Sequence, residues 1–295
     1  SVYSSDNQYL HFETPPTFPS IKKLIFDSVN MHDNDMRILL QSCPNLDLVK
    51  LCDATNFKAD FLMNCSTETL ICDALLPLLS QDFSAALMSM KRLKNLTLKR
   101  IALENEEEDA LVRSVVLNCP FLEALSLEQV LIRDSSIALI AEHCGIKLTG
   151  LNLFQEIDAI SSDGLMLIAK HCKNLVKFGI CTKWNNRDMI QALDVVLSSC
   201  LGIRQLALGG ISSSINPVLM MVADAYPLRL ETLVLRDDKC RSVEGLAYFL
   251  YSCKQLKELI VFGTPVWMLS IIAYMKLERP TLRITDVDAA HILFP

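Results

Sequence analysis

The sequence predicts an α/β solenoid of about ten stacked strand-turn-helix repeats, with parallel strands on a concave face and helices on a convex one. Three observations carry the prediction. An apolar template, L-x2-L-x-L, recurs along nearly the whole chain at almost constant spacing. Apolar residues at helical spacing follow most copies, and a cysteine closes most of those helices at one distance before the next copy.

The template copies are Ile21, Leu24, Phe26; Leu46, Val49, Leu51; a weak copy at Thr67, Leu70, Cys72; Leu93, Leu96, Leu98; and Leu122, Leu125, Leu127. They continue as Leu148, Leu151, Leu153; Leu175, Phe178, Ile180; Ile203, Leu206, Leu208; Leu230, Leu233, Leu235; and Leu256, Leu259, Val261. First positions are separated by 25, 21, 26, 29, 26, 27, 28, 27 and 26 residues. That interval lies in the range of leucine-rich repeats. A further short strand around Leu282 and Ile284 is expected to close the end. Residues 1–20, with "TPPTFP" reading as a linker, form a lead-in or cap; residues 21–285 form the leucine-rich-repeat solenoid; residues 286–295 form a tail or cap.

The second half of each unit follows a different period. Met36, Leu39, Leu40, Cys43; Ile137, Ile140, Ala141, Cys144; Leu165, Ile168, Ala169, Cys172; and Leu246, Phe249, Leu250, Cys253 share the i, i+3, i+4, i+7 spacing of one helix face. Asp134 and Ser162 or Asp163 suit the caps, because their oxygens can accept from free N–H groups of the first turn. Where the helix ends against the neighbouring repeat a small apolar side chain is needed. Cys43, Cys119, Cys172, Cys200 and Cys253 fill that place three residues before the next template copy, and Cys144 fills it with one residue inserted. Met90 and Tyr226 stand in elsewhere. These cysteines therefore read as packing groups, and "EHC" and "KHC" (His143, His171) as repeated helix ends with no need of zinc.

The composition is that of a well-buried protein: 51% hydrophobic and 21% charged. A net charge of −6 argues against nucleic acid, whose phosphates call for a basic stripe. "TPVWMLSIIAYMKL" is interrupted by Lys276 and is shorter than the roughly 20 residues of a membrane span; it reads as a buried helix with Trp267 in the core. Eleven cysteines, an odd number without a CxxC pair, point to a reducing compartment, cytoplasm or nucleus. The sequons at Asn64 and Asn95 weigh slightly the other way. No Gly-rich phosphate loop, HExxH or G-x-S-x-G occurs, so neither an enzyme nor a cofactor is expected.

The stretches "SCPNLDLVKL", "NCPFLEALSL", "HCKNLVKFGI" and "SCKQLKELIV" resemble the cysteine-containing repeats of F-box leucine-rich-repeat proteins in the ribonuclease-inhibitor-like superfamily. Where that family places a second cysteine or asparagine after the strand, this chain has Val29, Ala54, Ile101, Val130 and Ile211. The resemblance implies a substrate receptor of a cullin-RING (SCF) ubiquitin ligase, reaching the cullin adaptor through an F-box. Residues 1–20 are too short and too polar to be that F-box, which is expected outside this chain. The alternative is a stand-alone scaffold or inhibitor. A third reading, a small-ligand co-receptor, would use Lys99 and Arg100 to clamp an anion.

In the first two readings the partner is a protein, expected on the concave face, where alternate strand residues point away from the core. Lys99, Arg100, Glu128, Gln129, Phe154, Gln155, Arg236, Asp237 and Phe262 are the candidate contacts there. Gly179, Ala207, Gly209 and Gly210 suggest a shallow hollow flanked by Phe154 and Phe262 as aromatic anchors, unless those rings tuck against neighbouring strands. Trp184, with Arg187 beside it, is a candidate rim anchor or a loop side chain folded on the helix below. "ENEEED" (104–109) reads as a solvated run at a helix N-terminus.

Overall fold

A computed structural model describes residues 17–28, 33–53, 59–74, 81–101, 105–154, 159–182, 187–209, 216–226, 229–236, 243–262 and 266–287. The chain has the leucine-rich-repeat solenoid fold and divides into two compact units, Ser1–Leu148 and Thr149–Pro295.

In the first unit the order is β1 (Lys23–Asp27), α1 (Asp33–Gln41), β2 (Leu48–Cys52), a 3-10 turn (Ala59–Leu62), β3 (Thr69–Asp73), α2 (Gln81–Ser89), β4 (Asn95–Lys99), α3 (Asn105–Asn118), β5 (Ala124–Glu128) and α4 (Asp134–Cys144). The strands are parallel, and Lys23 faces Leu48, Leu48 faces Thr69, Thr69 faces Asn95 and Asn95 faces Ala124. Those register steps reproduce the template intervals of 25, 21, 26 and 29. The short second interval leaves room only for the 3-10 turn where other repeats carry a helix. Thr67 takes a leucine position there, fully buried, and its hydroxyl donates to Thr69 O at 3.0 Å, which removes the cost of burying it bare.

The second unit runs β6 (Gly150–Phe154), α5 (Ser162–His171), β7 (Lys177–Cys181), α6 (Arg187–Ser199), β8 (Gln205–Gly209), α7 (Asn216–Ala225), β9 (Thr232–Arg236), α8 (Val243–Ser252), β10 (Glu258–Phe262), α9 (Val266–Glu278) and β11 (Arg283–Val287). Its strands are also parallel, stepping from Gly150 to Lys177, Gln205, Thr232, Glu258 and Arg283. β11 is the closing strand expected around Ile284. Among the described residues no helix is long and apolar enough to cross a membrane.

Template residues form the core: from Leu46 to Val261 all are at most 3% exposed. Two caps lie one residue earlier than expected. Arg133 precedes α4 without a side-chain cap bond, and Ser161 Oγ accepts from Asp163 N at 3.1 Å at the start of α5. The acidic run begins α3 itself, since that helix starts at Asn105.

The helix-end cysteines are buried, and the sulfurs of three of them point to carbonyls at the preceding repeat's helix end. Cys144 Sγ lies 4.0 Å from Val116 O, Cys200 Sγ 3.1 Å from Cys172 O, and Cys253 Sγ 3.8 Å from Tyr226 O. A weak S–H donor thus meets carbonyls that the helix end leaves unpaired. Tyr226 does the same with its hydroxyl, donating to Leu197 O and Cys200 O. Tyr226→Phe should therefore cost about 2 kcal/mol in a urea melt, the penalty for stranding buried acceptors.

Burial pushes the Cys200 thiol up to about 11 and those of Cys65, Cys119 and Cys253 up to about 12. Thiolate is the reacting form. In native protein at pH 8, iodoacetamide should leave the nine buried cysteines unmodified while denatured protein labels at all of them, read by mass spectrometry; of the ten described, Cys181 is the partly exposed one.

Candidate functional site

In the first unit each strand ends on a residue in the left-handed backbone region. Ser28, Asp53, Ala74, Arg100 and Gln129 have φ of 52, 49, 56, 51 and 52°, uncommon for residues other than glycine. The first four of them donate their N–H to the carbonyl of the last residue of the next strand, at 2.9–3.1 Å. One extra ladder bond per repeat thus offsets the backbone strain. The consequence is a row of side chains at the strand ends, in which Asp53, Arg100 and Gln129 are exposed.

Charge joins that row across four strands. Arg100 reaches back over two repeats: Nε donates to Asp73 Oδ1 at 2.7 Å and Nη2 to Asp53 Oδ1 at 3.3 Å. The bond to Asp73 holds the Arg100 guanidinium above even its usual high pKa. Lys99 turns the other way, placing Nζ 3.0 Å from Glu128 Oε2, and Glu128 Oε1 also accepts from Ser126 Oγ at 3.2 Å. The Arg100 pairs are exposed and contribute only about 0–1 kcal/mol each, whereas Glu128 is buried beside Lys99. Their product is a preset pattern of both charge signs, with Asp27 continuing it at the end of β1.

Lys99 and Arg100 are therefore not free cations. The idea that they clamp an anionic ligand is corrected here, because Asp53, Asp73 and Glu128 already occupy them. Asp73 was missed in the sequence because it ends the weak third repeat. Reading down the residue that ends each strand (Asp27, Cys52, Asp73, Lys99, Glu128) is the signal that finds it.

The second unit differs. The strand positions opposite the template residues are half-exposed in β4, but in β6 and β9 they are almost all buried. Phe154, Ala207, Val234, Ile260 and Phe262 form one cluster, with Cys181 packed against it. Phe154 and Phe262 are 1% and 3% exposed, so they are not projecting anchors. The bare hollow is corrected for the same reason: a Cβ built on Gly179 would run into Asn152 Oδ1 and lie 2.9 Å from Phe154 Cε2, and one on Gly209 would lie 3.1 Å from Arg236 O and Cys181 Sγ and 3.2 Å from Phe154 Cε1. The glycines make room for the Asn152 amide, the Cys181 sulfur and the neighbouring backbone as well as for the Phe154 ring. Arg236 places its guanidinium carbon 5.8 Å from the Phe262 ring centroid, a cation–π contact.

Of the other candidates, Arg187 opens α6 and is exposed. Gln155, Trp184 and Asp237 lie outside the described residues, as does the side chain of Trp267. His143 Nδ1 is 3.0 Å from Leu139 O in its own helix. Among the described residues no three His, Cys, Asp or Glu side chains gather as metal ligands.

The fold is that of a leucine-rich-repeat solenoid, and its first unit carries a preset, mixed-charge row along its strand ends. No protein-family model matches the sequence, and no curated protein matches it. Among solved structures the chain is similar to the leucine-rich repeat-containing protein LegL7 from Legionella pneumophila, with a TM-score of 0.54 and 15% identity over 90% of each chain. An internalin (inlF) from Listeria monocytogenes aligns over 91% of this chain and 68% of its own, with a TM-score of 0.42 and 16% identity. The likeness to LegL7 is one of fold.

Proposed function

We propose that the chain is a protein-recognition module, serving as the substrate-binding repeat domain of an F-box-type receptor of a cullin-RING ubiquitin ligase in the cytoplasm or nucleus. The observation that carries the recognition role is the ion-paired row Asp53, Asp73, Arg100, Lys99 and Glu128. Its exposed pairs contribute little to stability, ion pairs and hydrogen bonds hold its geometry, and it presents both signs, acidic at Asp53, Asp73 and Glu128 and basic at Arg100 and Lys99, which suits a folded polypeptide better than a uniform polyanion. Gln129 adds to the polar surface of the first unit, and Arg187 and Arg236 are polar candidates of the second unit taken by itself. The cysteine-bearing repeat sequence supports the finer, ligase reading. In that role the chain performs no chemistry; it raises the effective concentration of target lysines near a ubiquitin-loaded enzyme.

Affinity purification of the native protein from its own cells, followed by mass spectrometry, tests both levels. Recovery of a cullin with its F-box adaptor supports the receptor. A single stoichiometric partner without ligase subunits overturns it and leaves a scaffold or inhibitor. If the row is the contact surface, Arg100→Ala, which removes an exposed anchor and releases Asp53 and Asp73 from their ion pairs, should weaken capture of the recovered target at least about tenfold. Unchanged capture would place the contact elsewhere.

A further inference from the structure

α9 reads VWMLSIIAYMKLE, apolar around its whole circumference, a composition that normally marks a helix enclosed on all sides. It is not enclosed. Tyr274 is 60% and Leu277 82% exposed, and Tyr251 on the neighbouring α8 is 77% exposed. Between these two helices lies a cavity of about 630 Å³, within the roughly 300–1,000 Å³ typical of small-molecule sites. Buried Leu250, Ile271 and Met275 form its floor, and Tyr251 and Tyr274 line it from opposite helices.

The charged groups around this apolar space are unevenly matched. Lys254, Arg279 and Glu278 line it. Lys254 Nζ sits 5.8 Å from the Tyr251 ring centroid and has no carboxylate partner among the described residues. Arg279 donates to the carbonyls of Leu250, Cys253, Lys254 and Leu256. Those bonds orient the guanidinium without giving it a counter-charge, and they occupy one carbonyl of the last turn of α8 and three of the turn that follows it. The cavity therefore combines an apolar floor, two aromatic walls and a surplus of positive charge at one end.

We propose that the α8–α9 cleft binds a small amphipathic anion, its apolar body between Tyr251 and Tyr274 and its acid group against Lys254 and Arg279. This site is independent of the charged row and of the ligase reading. Its test is a fluorescence titration with 1-anilinonaphthalene-8-sulfonate, alongside the neutral N-phenyl-1-naphthylamine. The wild-type protein should bind the sulfonate saturably at one site. Lys254→Glu, on an exposed side chain, should weaken the sulfonate at least about tenfold and leave the neutral amine unchanged. Ala247→Phe, which fills the cleft from α8, should abolish binding of both. Absence of saturable binding, or equal sulfonate binding by the wild type and Lys254→Glu, overturns the proposal. Should Ala247→Phe fail to fold, the charge variant and the neutral amine still decide.

Discussion

Arg279→Ala should lower the stability of the second unit by about 3 kcal/mol, with the loss concentrated in its final repeat. Arg279 occupies the position, three residues before Leu282, that cysteine or tyrosine holds in other repeats. A thiol meets one carbonyl of the preceding helix end; the guanidinium meets four, one in the last turn of α8 and three in the turn after it, at 2.6–3.1 Å. Hydrogen bonds from a charged donor contribute about 1.5–3 kcal/mol each. The sum is reduced because Arg279 is half-buried and water reaches some of the freed acceptors. Arg279→Lys keeps the charge but not the planar fork, so it should recover less than half of the loss. Because each repeat touches only its neighbours, a weakened last repeat frays on its own. Hydrogen exchange should accelerate in β10, α9 and β11 while β6 and β7 stay protected. Equal acceleration throughout the unit would show that Arg279 supports the whole stack and not its end.

The repeat was legible because each strand needs the same three buried positions. Ten template copies gave both the strands and their register, since a parallel ladder must advance by the interval of the template. The helix-end cysteines were legible for the same reason. What surrounds the opposite face of each strand was not. Alternation says that Phe154 and Leu153 point to opposite sides, but not whether the side taken by Phe154 meets water. Gly179 and Gly209 looked like missing side chains, whereas Asn152, Cys181 and the Phe154 ring use their space. Lys99 and Arg100 looked like available cations because their partners, Asp53, Asp73 and Glu128, are 27–47 residues distant and meet them only through the register. Arg279 escaped notice because an arginine at a position held by cysteine breaks the pattern by residue type while keeping its job of bonding the preceding helix end.

Phe154→Ala should cost about 3–5 kcal/mol, the range for emptying a buried phenylalanine site. On an open recognition surface the same change would be close to neutral for stability, so a urea melt separates a structural ring from a projecting anchor. A second variant asks whether the ring and its glycine act as a pair. Gly179→Ala places a methyl group against Phe154 Cε2 and Asn152 Oδ1, and such overpacking costs roughly 1–3 kcal/mol. In the double variant the ring is gone, and the methyl group fills part of the space it leaves. The combined loss should then fall short of the sum by about 1 kcal/mol, as expected for residues in direct contact. Strict additivity would mean that the alanine methyl group is resisted by Asn152 alone, and that Gly179 is present for that side chain instead of the ring.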